Sequence, residues 1–157
     1  MDFSDREQML KAHVKLWEGI KKELKKIEES QQFPSYFQLD DLTFNNPSYI
    51  LKEMIVKQMG EEGYLTSNEV ADLEYDNYCF CCVYDTKKVD TCKNCLIKKW
   101  RKNSGCTEQE YGFFDYYIRK YIETKKRKYL ISSINYAQKI ANLGKKELKE
   151  MNNSKIL

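Results

Sequence analysis

The chain has 157 residues, 41% of them hydrophobic and 32% charged, with a formal net charge of +3. That length allows one domain with an ordinary core, so a metal need not be its only source of stability. No apolar run approaches the ~20 residues that span a bilayer, and no basic n-region and apolar h-region open the chain, so a cytoplasmic protein with no membrane partner is expected. The charge is uneven: residues 1–78 hold 9 Lys/Arg against 16 Asp/Glu, giving −7, and residues 79–157 hold 18 against 8, giving +10. The basic half suits an anionic partner such as nucleic acid, or it faces the acidic half within the molecule.

Taken in order, residues 1–30 predict a long amphipathic helix, capped by a Ser4–Glu7 box. Its apolar stripe is Leu10, His13, Val14, Trp17, Ile20, Leu24 and Ile27, at three- and four-residue steps. His13, the only histidine, is expected to be a packed or hydrogen-bonded core residue. Residues 31–46 read as a connection anchored by aromatic rings, because Pro34 disfavours helix before it. A helical insert over 47–76 follows. Asn46-Pro47 opens its first helix, Gly60 and Gly63 end it, and Thr66 with Glu69 forms the cap of a second. Residues 77–106 form the cysteine segment. Residues 107–144 predict further helices, started by a Thr107–Glu110 box and bent at the run Lys125, Lys126, Arg127, Lys128. Gly144 is expected to cap the last of them, leaving 145–157 as a frayed tail. The fold class is mainly α: a single helical domain with a central zinc-knuckle loop region.

All six cysteines lie within the 28 residues from Cys79 to Cys106. Two C-x-x-C knuckles, Cys79/Cys82 and Cys92/Cys95, present four thiolates to one tetrahedral ion, and in a reducing cytosol such knuckles read as a metal site. Structural Zn²⁺ is the expected cofactor, with Cys106 as reserve ligand; four thiolates also suit an iron–sulfur cluster. Cys81 is expected to point away from the ion and to tolerate substitution. A zinc closed by four thiolates has no open position for catalysis, and no phosphate loop, dinucleotide fingerprint or serine-nucleophile motif is present, so no enzymatic activity is expected.

After the second knuckle, Lys98, Lys99, Trp100, Arg101 and Lys102 interleave one indole with four cations. Such a group can neutralise phosphates and stack on a base; alternatively Trp100 closes the zinc loop as core. The tyrosine-rich segment from Tyr111 to Tyr121 carries more rings than one stripe can bury, which places some at a surface suited to protein or nucleic acid.

The order His13-x3-Trp17, Asn77-Tyr78-Cys79-Phe80-Cys81-Cys82-Val83-Tyr84, Cys92-x2-Cys95, Trp100, Cys106, Tyr111-Gly112 and Ala137-x2-Ile140-Ala141-Asn142-Leu143 resembles a group of small Cys-rich phage and prophage proteins of low-GC Gram-positive bacteria. The likeness covers the first helix and residues 77–143. This chain has Leu96 where the group often has proline, and its segment from Pro34 to Leu73 is longer than usual. The resemblance implies a phage origin and the cytoplasm of an infected host; no activity is attached to the group. Two readings follow. One is a zinc-stabilised phage accessory protein that binds a host protein or ribonucleoprotein complex, such as an antiviral defence complex, and inhibits it. The other is a small zinc-finger nucleic-acid binder using Lys98 to Lys102 and Lys125 to Lys128.

Overall fold

The structure, a computed structural model, describes residues 1–38, 46–75, 77–84, 95–103 and 105–156. It is mainly helical, with no strand among the described residues. The helices are α1 (Arg6–Ser30), α2 (Pro47–Glu61), α3 (Ser67–Tyr75), the single turn α4 (Phe80–Val83), α5 (Lys98–Lys102), α6 (Glu110–Thr124) and α7 (Arg127–Ile156).

Local chemistry sets most of the ends. Asn46 accepts from the Ser48 N–H at 2.8 Å with Pro47 in the first turn, where a missing N–H costs nothing. Thr66 and Glu69 exchange the two bonds of a capping box, at 2.8 and 3.2 Å. The other two expected boxes do not form. Asp5 caps α1 by accepting from Gln8 N–H at 3.0 Å, while Ser4 turns back to Asp2. At α6, Gln109 is the cap residue, and Glu110 is used elsewhere, as described below.

The long pair α1 and α7 runs antiparallel, and α6 packs beside α7. Arg6 meets Glu147 at one end, Glu18 meets Lys145, and Glu28 meets Arg127 at the other. Glu18 and Glu28 are thus acids of the first half matched by bases of the second, the intramolecular outcome that the charge split allows, while Arg6–Glu147 runs the other way. These are mostly exposed pairs, each contributing about 0–1 kcal/mol. The stability lies beneath them. Met9, Leu10, Leu16, Ile20 and Leu24 of α1 are buried with Leu130, Ala137, Ile140 and Ala141 of α7. Each large apolar side chain so buried is worth about 1.5–3 kcal/mol. Trp17 stands edge-on to Phe114 of α6, ring centroids 5.0 Å apart and planes at 90°.

Gly144 does not end the last helix. α7 continues through it to Ile156, so the expected frayed tail is helical. The glycine serves packing instead: a Cβ there would lie 2.8 Å from both His13 Cδ2 and Val14 Cγ2. Past it, Glu147 reaches Arg6 and Lys155 reaches Glu7 at 3.1 Å, fastening the final turns to the start of α1. The connection after α1 is anchored by rings as its composition predicts. Phe37 is buried, and Phe33 lies 5.6 Å from the Tyr121 ring.

Candidate functional site

Two places carry chemistry: the convergence of cysteines under α1, and the outer face shared by α6 and α7.

The chain enters the first through a reversal after α3, where Asn77 and Tyr78 both adopt left-handed φ, 55° and 56°. Such a conformation costs an L-residue about 1–2 kcal/mol. Here the Tyr78 N–H donates to Leu73 O at 2.8 Å, and its ring is buried 5.2 Å from that of Tyr49. The reversal delivers Cys79 as the residue preceding α4, whose one turn carries Cys81 and Cys82. Cys95 arrives from the far side of the segment, and Cys106 begins a 3-10 turn just before α6. Three stretches of chain therefore bring Cys79, Cys81, Cys82, Cys95 and Cys106 towards one another. Cys92 lies outside the described residues.

Cys81 does not point away. It is buried, with its thiol in hydrogen-bonding reach of the Cys79 and Cys95 sulfurs and 3.5 Å from His13 Nδ1. The opposite nitrogen of His13, Nε2, lies 3.1 Å from the Ile140 carbonyl oxygen, which can only accept. Nε2 therefore carries the proton, and Nδ1 presents a lone pair to the Cys81 thiol. Burial lowers the His13 pKa, which keeps the ring neutral. His13 is a core histidine by position, and it is also a neighbour of the cysteines.

The thiols are not equivalent. Hydrogen bonds donated by the Cys81 and Cys82 thiols hold Cys79 well below the ordinary thiol range, with a further contribution from the Lys52 ammonium. Cys82 is pushed up because it supplies one of those protons and faces the resulting charge. Burial, then the Cys79 and Cys95 charges, push Cys106 up to about 12. Negative charge thus gathers on the Cys79 sulfur.

Lys52 of α2 is only 5% exposed and stands beside this charge, its ammonium 4.8 Å from the centre of the Tyr111 ring. Burial lowers its pKa, but its Tyr111 and cysteine neighbours, the Cys79 thiolate among them, outweigh that and the net shift is upward. A cation placed here has no explanation in packing alone, because burying an unpaired ammonium is costly. It fits a site that carries thiolate charge. Lys52, Cys79, Cys82, Cys106, Trp17 and Tyr111 share the lining of a cavity of about 510 Å³. Among the described residues, no three His, Cys, Asp or Glu side chains stand close enough together to enclose an ion.

The basic group after the knuckles is mostly absorbed by the fold. Trp100 is 2% exposed, donates from Nε1 to Glu110 Oε2 at 3.1 Å, and stands edge-on to His13. Lys99 pairs with the same carboxylate. Arg101 donates to the Cys95 carbonyl at 2.9 Å, and the backbone N–H of Lys98 to Glu147 at 2.7 Å; the Lys98 and Lys102 side chains are exposed. The other cluster occupies the α6–α7 turn, where Lys125 takes left-handed φ, 57°. Its ammonium lies over Phe33, Arg127 pairs with Glu28, and Lys126 is exposed.

The second place combines what lies on either side of that turn. Phe113, Tyr116 and Tyr117 of α6 and Tyr129 and Tyr136 of α7 form one continuous series of rings. Centroids are 5.5 Å apart for Phe113–Tyr136, 5.7 Å for Tyr136–Tyr117 and 6.4 Å for Tyr117–Tyr129, with Tyr116 edge-on to Tyr117 at 5.2 Å. Phe113 and Tyr116 are 50% and 52% exposed. Lys120, Lys128 and Lys139 place their ammoniums 5.9, 4.9 and 4.5 Å from the centroids of Tyr116, Tyr129 and Tyr136. The α6 surplus of rings is legible in sequence. Its continuation through Tyr129, Tyr136 and Lys139 is not, because those residues join the face only when α7 folds back on α6. Their seven-residue spacing, two helical turns, is the signal that points to one face.

No protein-family model matches the chain, and no curated protein or solved structure matches it. No helix among the described residues is long and apolar enough to cross a membrane.

Proposed function

We propose that this chain is a zinc-clamped interaction module, a phage accessory protein that acts without catalysis by binding a host protein or ribonucleoprotein complex in the cytoplasm of an infected bacterium. An antiviral defence complex is the class of target, and inhibition by occupancy the mode. The observation that carries the reading is the exposed ring face of α6 and α7. Half-exposed rings side by side are costly to leave in water and suit a surface covered by a partner.

Thiolates are the donors that suit zinc, and an ion would have to draw the described cysteines closer together than they stand here. Cys79, Cys82 and Cys95 would hold the ion together with Cys92, and Cys106 stands in reserve. A zinc with four thiolates carries two negative charges, and the buried Lys52 ammonium beside Cys79 and Cys82 would balance part of that charge. An ion so held would tie the reversal at 77–78 to the chain entering α5, and through Cys106, were it recruited, to the start of α6.

The test is an affinity pull-down from phage-infected bacteria with the wild type and a Phe113→Ala/Tyr116→Ala variant, with metal content measured on the same preparations. The reading expects about one zinc per chain in both and a partner retained by the wild type alone. A partner set that is the same for both proteins refutes the ring face as the binding surface, and metal-free folded protein refutes the clamp.

A further inference from the structure

Resting on the ring face as the binding surface, we infer that its ligand is single-stranded RNA, held by stacking of bases on the rings and pairing of phosphates with the lysines.

Charge distribution is the first ground. Where α7 meets α1 its cations are spent: Arg127 on Glu28, Lys145 on Glu18, Lys155 on Glu7. On the opposite side, Lys128 and Lys139 have no carboxylate within salt-bridge distance among the described residues, and their ammoniums rest on tyrosine rings instead. Lys120 has one exposed partner, Glu123 at 3.5 Å. Lys128 and Lys139 therefore set unpaired positive charge beside the rings. Lys125 and Lys126 extend it around the α6–α7 turn, and both are exposed.

Ring geometry is the second ground. A protein partner would bury such rings in pockets of its own, whereas a flexible strand uses a series of them. Phe113 and Tyr116, each about half exposed, offer ring surface for stacking, and the mutually stacked Tyr117, Tyr129 and Tyr136 continue the row beside them. Stacking tolerates any base because every base has a π-face. An open depression of about 360 Å³ beside Phe113, Tyr116 and Tyr117, bordered by Thr107, Glu108, Gln109 and Gly112, adds room for a base at one end of the row, while the Glu108 carboxylate keeps phosphates on the lysine side. A lysine resting on a ring is not an obstacle: its four-carbon stem lets the ammonium move to a phosphate as a base takes the ring.

The third ground favours RNA over DNA. Tyr116 is exposed, and Tyr117, Tyr129 and Tyr136 are partly exposed, so the face carries phenol groups. A phenol can donate to or accept from a ribose 2′-hydroxyl, the group by which proteins distinguish RNA.

The experiment is fluorescence anisotropy of full-length protein with a labelled 20-nucleotide oligo-U, with oligo-dT of the same length and with an RNA duplex, across 25–200 mM salt. Oligo-U is expected to bind most tightly. Its log affinity should fall with log salt at a slope of about −2, from about 0.7 for each of three phosphates met by Lys120, Lys128 and Lys139. Phe113→Ala/Tyr116→Ala should weaken binding at least about tenfold per ring at constant slope. Lys128→Gln/Lys139→Gln should flatten the slope. These side chains are exposed or half-exposed and lie on helices, so circular dichroism should be unchanged. Absence of oligo-U binding at 25 mM salt, or binding indifferent to the ring variant, overturns the inference, and equal affinity for oligo-dT overturns its assignment to RNA. If oligo-U fails while the ring variant still loses a protein in the pull-down, the interaction module stands and its ligand is a protein. If both fail, the face itself is wrong.

Discussion

Gly112→Ala is the substitution that most directly probes how the cysteine cluster is tied to the helices. The glycine sits in the first turn of α6, and a Cβ built on it would lie 1.8 Å from the Thr107 carbonyl oxygen and 2.7 Å from the carbonyl carbon. A carbon–oxygen contact normally runs at about 3.3–3.6 Å, so the turn would have to retreat by about 1.5 Å. The obstacle is backbone, and no side-chain rotation relieves it. In an unhindered helix the change from glycine to alanine gains about 1 kcal/mol. Here overpacking opposes it at about 1–3 kcal/mol, with further loss as Cys106 is drawn off its half-buried position. The net expectation is a loss of up to about 2 kcal/mol, more if Cys106 is displaced. With a urea slope of about 2 kcal/mol per molar, the unfolding midpoint should fall by up to about 1 M. Thiol labelling under native conditions should find Cys106 first, ahead of the more deeply buried Cys81. A variant with the midpoint and labelling rate of the wild type would refute the idea that the Cys106 turn is clamped onto α6 at this glycine.

Two further outcomes test the interior of the cluster. Cys81→Ala, which the sequence pattern alone marks as mild, should cost about 1–3 kcal/mol because it removes a buried thiol that lies against His13 Nδ1 and bonds the Cys79 sulfur. It should leave metal content unchanged, and a wild-type denaturation midpoint would show that the contact adds nothing. The second outcome concerns pH. Burial sets the folded pKa of His13 below its ordinary value near 6.5, so the unfolded chain takes up the proton first as pH falls. The stabilising contribution is complete above about pH 6.5 and is lost towards the folded pKa, by up to about 1.4 kcal/mol per pH unit. Denaturation with a chelator present, between pH 7 and pH 5, should show this slope in the wild type and lose it in His13→Gln. The same slope in both proteins would assign it to other groups.

The amino-acid sequence by itself determined the helices and much of their punctuation. Asn46-Pro47 and the Thr66–Glu69 box are local devices, complete within four residues, so they read the same in the chain and in the fold. The bend at Lys125 and the burial of Trp100 were legible for related reasons: a cluster of charges resists burial, and an indole beside a small loop seeks it. Local signals failed where a distant surface made a better offer. Ser4 with Glu7 lost to Asp5, one residue along, and Glu110 left its cap position for Trp100 and Lys99. Gly144 looks like a helix end in one dimension and is a contact point with His13 and Val14 in three.

The cysteines divide along the same line. Their spacing raises the expectation of a thiolate site, but spacing cannot say that α1 lies across the cysteines, with His13 reaching Cys81, or that α2 inserts Lys52 beside Cys79. Those neighbours come from contacts more than fifty residues apart in one case and nearly thirty in the other, about which periodicity carries no information. The ring face is the plainest example. Its tyrosines belong to two helices with their own regular patterns, and only the antiparallel return of α7 along α6 turns two stripes into one surface.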